Sequence, residues 1–292
     1  MYTNTAELWM EAKERQVPLS EIILENEMQL TDCSKEEIMQ HLEKTYEIMQ
    51  ISAAKALQKP LFTVGSLITG IAKIQYDYAQ TTDTLCGGFL NLLMARALSC
   101  SETNAAMGRI CAAPTAGSCG IIPAVLITVA ESRKCSKEAV FNALLVSAGL
   151  GAVIMRNATV AGAEGGCQVE CGTAAAMAAA AAVDLAGGTA EAALHAAAFA
   201  LMNIMGLICD PVAGLVQVPC AQRNASQAVN ALLSADFALA GQRSIIPLDE
   251  VIDAMFRTGK MLPIQLRETA MGGIAATQTG KKINDEIFSK QE

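Results

Sequence analysis

The chain has 292 residues, 52% of them hydrophobic but only 4% aromatic, and carries a formal net charge of −8. That length supports a sizeable core, as one large domain or two small ones. Apolar mass built from Ala, Ile, Leu, Val and Met favours close-packed helices over a β-sandwich, and an acidic chain without a basic run is a poor nucleic-acid binder.

The first sixty residues are charged and amphipathic. Ser34-Lys35-Glu36-Glu37 reads as a capping box. Ile38, Leu42, Tyr46 and Met49 follow at helical spacing and give one apolar face. Lys59-Pro60 ends this region. Residues 1–60 are therefore expected to pack as helices on a core formed by 61–292, the two together making one domain. From Leu61 the composition turns to Ala, Gly and other small residues. Residues 65–73 suggest a loop or broken helix, and 85–99 a helix. Residues 111–123, CAAPTAGSCGIIP, form a long irregular turn, with Pro123 suited to open the next helix. Ser136 caps a helix running to about Ser147, after which come Gly149 and Gly151. An Ala-rich helix over 173–186 is stopped by Gly187-Gly188. Thr189 caps another running to about Leu207, and two more cover 223–239 and 248–256. The polar stretch after Gly272 reads as surface. Alternating strand patterns and fixed-period repeats are almost absent. The expected architecture is all-α and compact, with Gly- and Pro-rich loops converging on a common centre.

The mean hydropathy is positive, so membrane insertion has to be weighed. Residues 110–130 carry no charge, but they hold Pro114, Gly117, Gly120 and Pro123 and much Ala, Ser and Thr. A span needs about 20 strongly apolar residues, so helices buried on all sides are the better reading. The opening MYTNTAELWMEAKERQ shows no basic segment followed by an apolar run. A cytoplasmic chain with reduced cysteines is the expectation, and metal or catalytic roles then outrank disulfides.

Three of the ten cysteines stand out. Cys167 (GAEGGCQVECG), Cys209 (GLICDPVAGLVQ) and Cys220 (VQVPCAQRNA) each sit in a Gly- or Pro-rich break between long helical segments. Free cysteine often only fills space, but thiols in irregular backbone can turn inward together. Three soft ligands suggest iron–sulfur or zinc and leave one metal position open for chemistry. The spacings match no zinc-finger pattern. Cys167 and Cys171 are close enough in sequence to form a local pair, although Cys171 reads equally as a packing residue. In the 111–123 turn, Thr115, Ala116, Gly117 and Ser118 suggest a cradle for a small anion such as a carboxylate, or simply a connecting loop. Lys73 and Arg109 are candidate carboxylate partners. Of the two histidines, His41 reads as a surface residue and His195 as a packed one, so no general base stands out.

The segments APTAGSCGIIPAVL, NATVAGAEGGCQVECG, CDPVAGLVQVPCAQRNA and RETAMGGIAATQTG resemble the iron–sulfur L-serine dehydratases, in the α subunit of the two-subunit bacterial form. The resemblance runs over nearly the whole chain. It implies a [4Fe–4S] cluster held by Cys167, Cys209 and Cys220, with one iron free to take the hydroxyl of L-serine. It implies conversion of L-serine to pyruvate and ammonia without pyridoxal phosphate. In the family the histidine base lies in the β part, in an SSSHT-type motif that this chain lacks, so a β subunit is the expected partner. The substrate-binding expectation rests on residues 115–118 and Lys73; where the family often shows TGGDA, this chain has Thr69-Gly70-Ile71-Ala72. Rival readings are an L-cysteine desulfidase with a similar cluster, a non-enzymatic iron–sulfur protein, and a zinc-stabilised scaffold.

Overall fold

A computed structural model describes residues 1–289, and among them the chain forms thirteen α-helices and no strand. The N-terminal helices are α1 (Thr5–Arg15), α2 (Leu19–Thr31) and α3 (Lys35–Gln58). The rest are α4 (Ile71–Ala79), α5 (Gly87–Ala105), α6 (Ile121–Arg133), α7 (Lys137–Asn157), the single turn α8 (Gly162–Gly165), α9 (Cys167–Leu185), α10 (Ala190–Met202), α11 (Cys220–Leu239), α12 (Leu248–Met261) and α13 (Gln278–Phe288).

Helix starts follow local chemistry. The Ser34 hydroxyl accepts from the Glu37 amide at 3.2 Å, and the Glu37 carboxylate accepts from the Ser34 amide at 2.8 Å, completing the capping box. Ser136 and Thr189 cap α7 and α10 through the amides of Ala139 and Ala192. Each such cap satisfies an amide that the first turn leaves free, worth about 1 kcal/mol.

The centre of the molecule is α9. Its run from Ala174 to Ala182 is buried almost without exception, and α6, α7, α10 and α11 surround it. Alanine lets those backbones approach from every side; a larger side chain on this run would overpack at roughly 1–3 kcal/mol. Helix α7 is long and apolar enough to cross a membrane by length and composition, yet 67% of its most apolar window is buried in the protein. The uncharged stretch 110–130 divides into an irregular loop and the buried helix α6.

Several boundaries differ from the sequence expectations. Helix α7 does not stop near Ser147 but runs through Gly149 and Gly151. These glycines mark contacts, not an end. A Cβ at Gly149 would meet Ile23 of α2 at 2.5 Å, and one at Gly151 would meet Met177 of α9 at 2.7 Å. Helix α9 starts at Cys167, not Thr173, and α11 at Cys220, not Arg223, because each takes up the residues expected to form a loop. Helix α10 ends at Met202, before Leu207, whereas α5 and α12 extend beyond their expected ends to Ala105 and Met261. The stretch after Gly272 is largely exposed but includes α13, which packs beside the turn Val212–Gly214.

Candidate functional site

Two of the three singled-out cysteines open helices. Cys167 is the first residue of α9 and Cys220 the first of α11. A helix N-terminus carries partial positive charge and favours a thiolate. Helix α9 can begin there because Gly166 has φ +78° and no side chain; a Cβ would lie 2.7 Å from the Leu207 carbonyl. Gln168 then fastens the turn. Its side chain, fully buried, accepts from the Gly206 amide at 2.8 Å and donates to the carbonyls of Gly165 and Met255.

Cys209 is placed differently. Its amide donates to the Leu266 carbonyl and its carbonyl accepts from the Glu268 amide, both at 2.8 Å, making a single β-bridge with residue Arg267. The next residue, Asp210, is 1% exposed. It accepts from Arg223 of α11 and from the Ile274 amide, each at 2.7 Å. A Cβ on Gly273 would collide with the Asp210 carboxylate, so a glycine is needed where the C-terminal segment crosses the cysteine loop.

The three thiols influence one another electrostatically. Charge on Cys167 is felt at both Cys209 and Cys220, and charge on Cys220 at Cys209. Burial pushes Cys209 well above the usual thiol range and Cys220 up to about 12. Cys167 behaves oppositely. Its sulfur lies 3.2 Å from that of Cys171, and the hydrogen bond between the two, with Arg223 nearby, holds Cys167 below the usual thiol range while Cys171 is raised. The donor atoms of Cys167, Glu170 and Cys171 all lie within 4.8 Å of one another and could hold a metal ion.

The turn at 115–118 grips a carboxylate, and it is the protein's own. The Thr115 hydroxyl donates to Glu170 of α9, and a Cβ on Gly117 would collide with that same carboxylate. Burial raises the pKa of Glu170, opposed by the Thr115 hydrogen bond. The turn expected to receive an external anion is thus faced by an acidic group one turn from Cys167. Asn224 of α11 locks the turn in place, donating to the Gly117 carbonyl at 2.6 Å and accepting from the Gly120 amide at 2.8 Å. Asn104 donates to the Ala116 carbonyl at 3.1 Å, and the Thr115 and Ser118 hydroxyls are 3.1 Å apart.

The other candidates share no hydrogen bond or ion pair with this group among the described residues. Lys73 is on α4, paired with Asp77 at 2.6 Å. Arg109 is exposed. His41 is exposed on α3; His195 is half-buried on α10, where its Nδ1 accepts from the Ser244 amide at 3.2 Å. Glu170, Glu268, Arg223 and Asn224 were not singled out in the sequence, although all four lie in the quoted motifs. The available signal was spacing: Glu170 stands three residues after Cys167 and Asn224 four after Cys220, each on its cysteine's helix face.

Comparison with known proteins adds a second line. Residues 14–275 match the family described as serine dehydratase alpha chain. The chain is 47% identical to the "L-serine dehydratase, alpha chain" of Peptoniphilus asaccharolyticus, covering 98% of this chain and 99% of that one. It is 43% identical to the "Probable L-serine dehydratase, alpha chain" of Bacillus subtilis (strain 168), over 99% and 96% respectively. It is 37% identical to "L-serine dehydratase 2" of Escherichia coli (strain K12), over 94% of this chain but 61% of that longer protein.

Proposed function

The chain belongs to the serine dehydratase alpha chain family, and from that premise we propose that it is the cluster-bearing chain of an L-serine dehydratase acting with a β subunit. The observation that supports this reading is that charge on Cys167 reaches both Cys209 and Cys220, while the loop 115–118 holds Glu170 one turn from Cys167.

The donor set fits a [4Fe–4S] cluster. Three thiols from separate segments suit a soft polynuclear centre, and the start of α9 with Arg223 close by favours the thiolate of Cys167, while the positive end of α11 and Arg223 only partly offset the burial that raises Cys220. A cluster held by these three residues would leave one iron free of protein and supply a Lewis acid for the departing hydroxyl of the substrate. The chain's own part is placement. Asn224 fixes the 115–118 turn against α11, and Thr115 fixes Glu170. Together they define the wall along which L-serine would lie, with its Cα–H held for a base. Loss of water gives 2-aminoacrylate, which hydrolyses to pyruvate and ammonia.

A β subunit completes the proposal. Neither histidine of this chain belongs to the cysteine group, so a neutral-pH base has to come from elsewhere. The family and two of the relatives are named as alpha chains, which supports a partner subunit. Phe62, Val64, Ile264 and Met271 are exposed on segments that frame the cysteine loop, which supports a partner in this region.

The test is anaerobic purification of the chain with its partner, assay of iron and acid-labile sulfide, and comparison of L-serine with L-cysteine as substrate. About four of each per chain and pyruvate from L-serine in preference to L-cysteine are expected. A complex that carries the cluster but releases sulfide from L-cysteine faster than it deaminates L-serine would be a desulfidase.

A further inference from the structure

Two carboxylates meet beside Cys209. A Cβ built on Gly162 would lie 3.3 Å from Glu268 Oε2, 3.4 Å from Glu170 Oε2 and 3.3 Å from Cys209 Sγ. The two acids come from elements far apart in sequence. Glu170 is on the first turns of α9, gripped by Thr115 and by the bare backbone of Gly117. Glu268 comes from the C-terminal segment that pairs with Cys209, and it is held at φ +62°, a left-handed conformation unfavourable for a non-glycine residue. Such strain persists where the surroundings over-determine it, and here the amide of Glu268 is fixed by the Cys209 carbonyl.

Among the described residues, no cationic side chain comes within 4.0 Å of either carboxylate. The nearby cations are otherwise engaged. Arg223 is bound to Asp210 and the Ile208 carbonyl, Lys260 reaches Glu164, and Arg267 points its guanidinium to the Glu164 carbonyl. The missing side chains of Gly117 and Gly162 make the room that the two carboxylates take up, and Glu268 is exposed. The arrangement is an acidic notch, open to solvent on one side and lined by a thiol on another.

We propose that Glu170 and Glu268 bind the α-ammonium of the substrate and are its main determinants of specificity for an amino acid. An ammonium carries three N–H donors and can bridge two carboxylates, one on each side. Seating it beside Cys209 brings Cα and the hydroxymethyl group of L-serine to the cysteine centre. A 2-hydroxy acid of the same shape brings no positive charge and leaves the two acids uncompensated, so the notch selects against it.

This inference rests on the dehydratase reading, and the experiment separates the two. The complex with its partner subunit is prepared anaerobically as wild type, Glu170→Gln and Glu268→Gln. For each, iron and sulfide content, KM for L-serine and the inhibition constant of L-glycerate, which replaces the ammonium by a hydroxyl, are measured. Each variant is expected to keep its iron, to raise the KM for L-serine about 10- to 100-fold, and to leave glycerate inhibition unweakened or tighter, since a charge-assisted contact to the ammonium is lost while an uncompensated acid beside glycerate is removed. Unchanged KM in both variants, or equal weakening of serine and glycerate, overturns the proposal. Loss of iron from Glu170→Gln alone does so too, because Glu170 would then be a ligand of the centre. A wild-type complex that forms no pyruvate from L-serine sinks the dehydratase reading itself, and the ammonium assignment with it.

Discussion

Arg223 and Asp210 form an ion pair of 2.7 Å that ties the helix beginning at Cys220 to the loop carrying Cys209. The side chain of Asp210 is 2% exposed, and its second oxygen accepts from the Ile274 amide. One carboxylate therefore joins three segments. Removing it leaves the Arg223 guanidinium, 16% exposed, without its counter-charge. Breaking such a pair costs about 3–5 kcal/mol. Asp210→Ala is expected to lose stability by about that much, and Asp210→Asn, which keeps an acceptor for Ile274, by less. Urea unfolding measures both; a loss under about 0.5 kcal/mol for Asp210→Ala would mean that the pair is incidental.

Two ligand sets can be told apart by cysteine replacement. Cys167, Glu170 and Cys171 are close enough for a single ion, whereas the proposed cluster would be held by Cys167, Cys209 and Cys220. The cluster reading expects Cys209→Ala and Cys220→Ala each to abolish iron and sulfide incorporation, with Cys171→Ala retaining most of it. The reverse pattern, iron lost with Cys171 and kept without Cys220, would establish the single-ion site.

The sequence made some of this legible and concealed the rest for identifiable reasons. Caps at Ser34, Ser136 and Thr189 were readable because the signal is local, a hydroxyl two or three residues before free amides. The all-α fold followed from small aliphatic composition. The glycines of α7 misled, since a helix-ending glycine and one admitting a neighbour such as Ile23 or Met177 look alike until the neighbour is known. The three cysteines drew notice through their Gly and Pro surroundings. Glu170 did not, because its meaning depends on Thr115, fifty-five residues away. Glu268 depends likewise on a bridge to Cys209 that no local pattern encodes.

Asp184, near the end of α9, gives a pH signature. Burial pushes its carboxyl up to about 6 from a value near 3.8. Between those values the folded protein keeps a proton that the unfolded chain has given up, so this residue makes the fold most stable below about pH 4 and less so as pH rises through about 6. Two units correspond to about 3 kcal/mol, which solvent screening at a partly exposed group reduces to about 1–2 kcal/mol. Asp184→Asn is expected to match the wild type near pH 4 and to exceed it at pH 7. Denaturant midpoints across that range decide it: a constant difference at both ends would place the effect outside titration.

Gly117 and Gly120 stand three residues apart and should respond to alanine in opposite ways. At Gly120 the added methyl would strike the Ala97 backbone carbonyl on α5, which cannot move without shifting that helix. Overpacking against backbone costs about 1–3 kcal/mol, and Gly120→Ala is expected to lower thermal stability accordingly. At Gly117 the methyl meets only the end of the Glu170 side chain, which can swing away. Gly117→Ala should therefore fold with nearly unchanged stability but displace the Glu170 carboxylate from Thr115. The consequence belongs to the substrate: KM for L-serine should rise while iron content stays constant. If instead Gly117→Ala destabilises the protein as much as Gly120→Ala does, Glu170 is a fixed structural support of the turn and not a group held ready for a ligand.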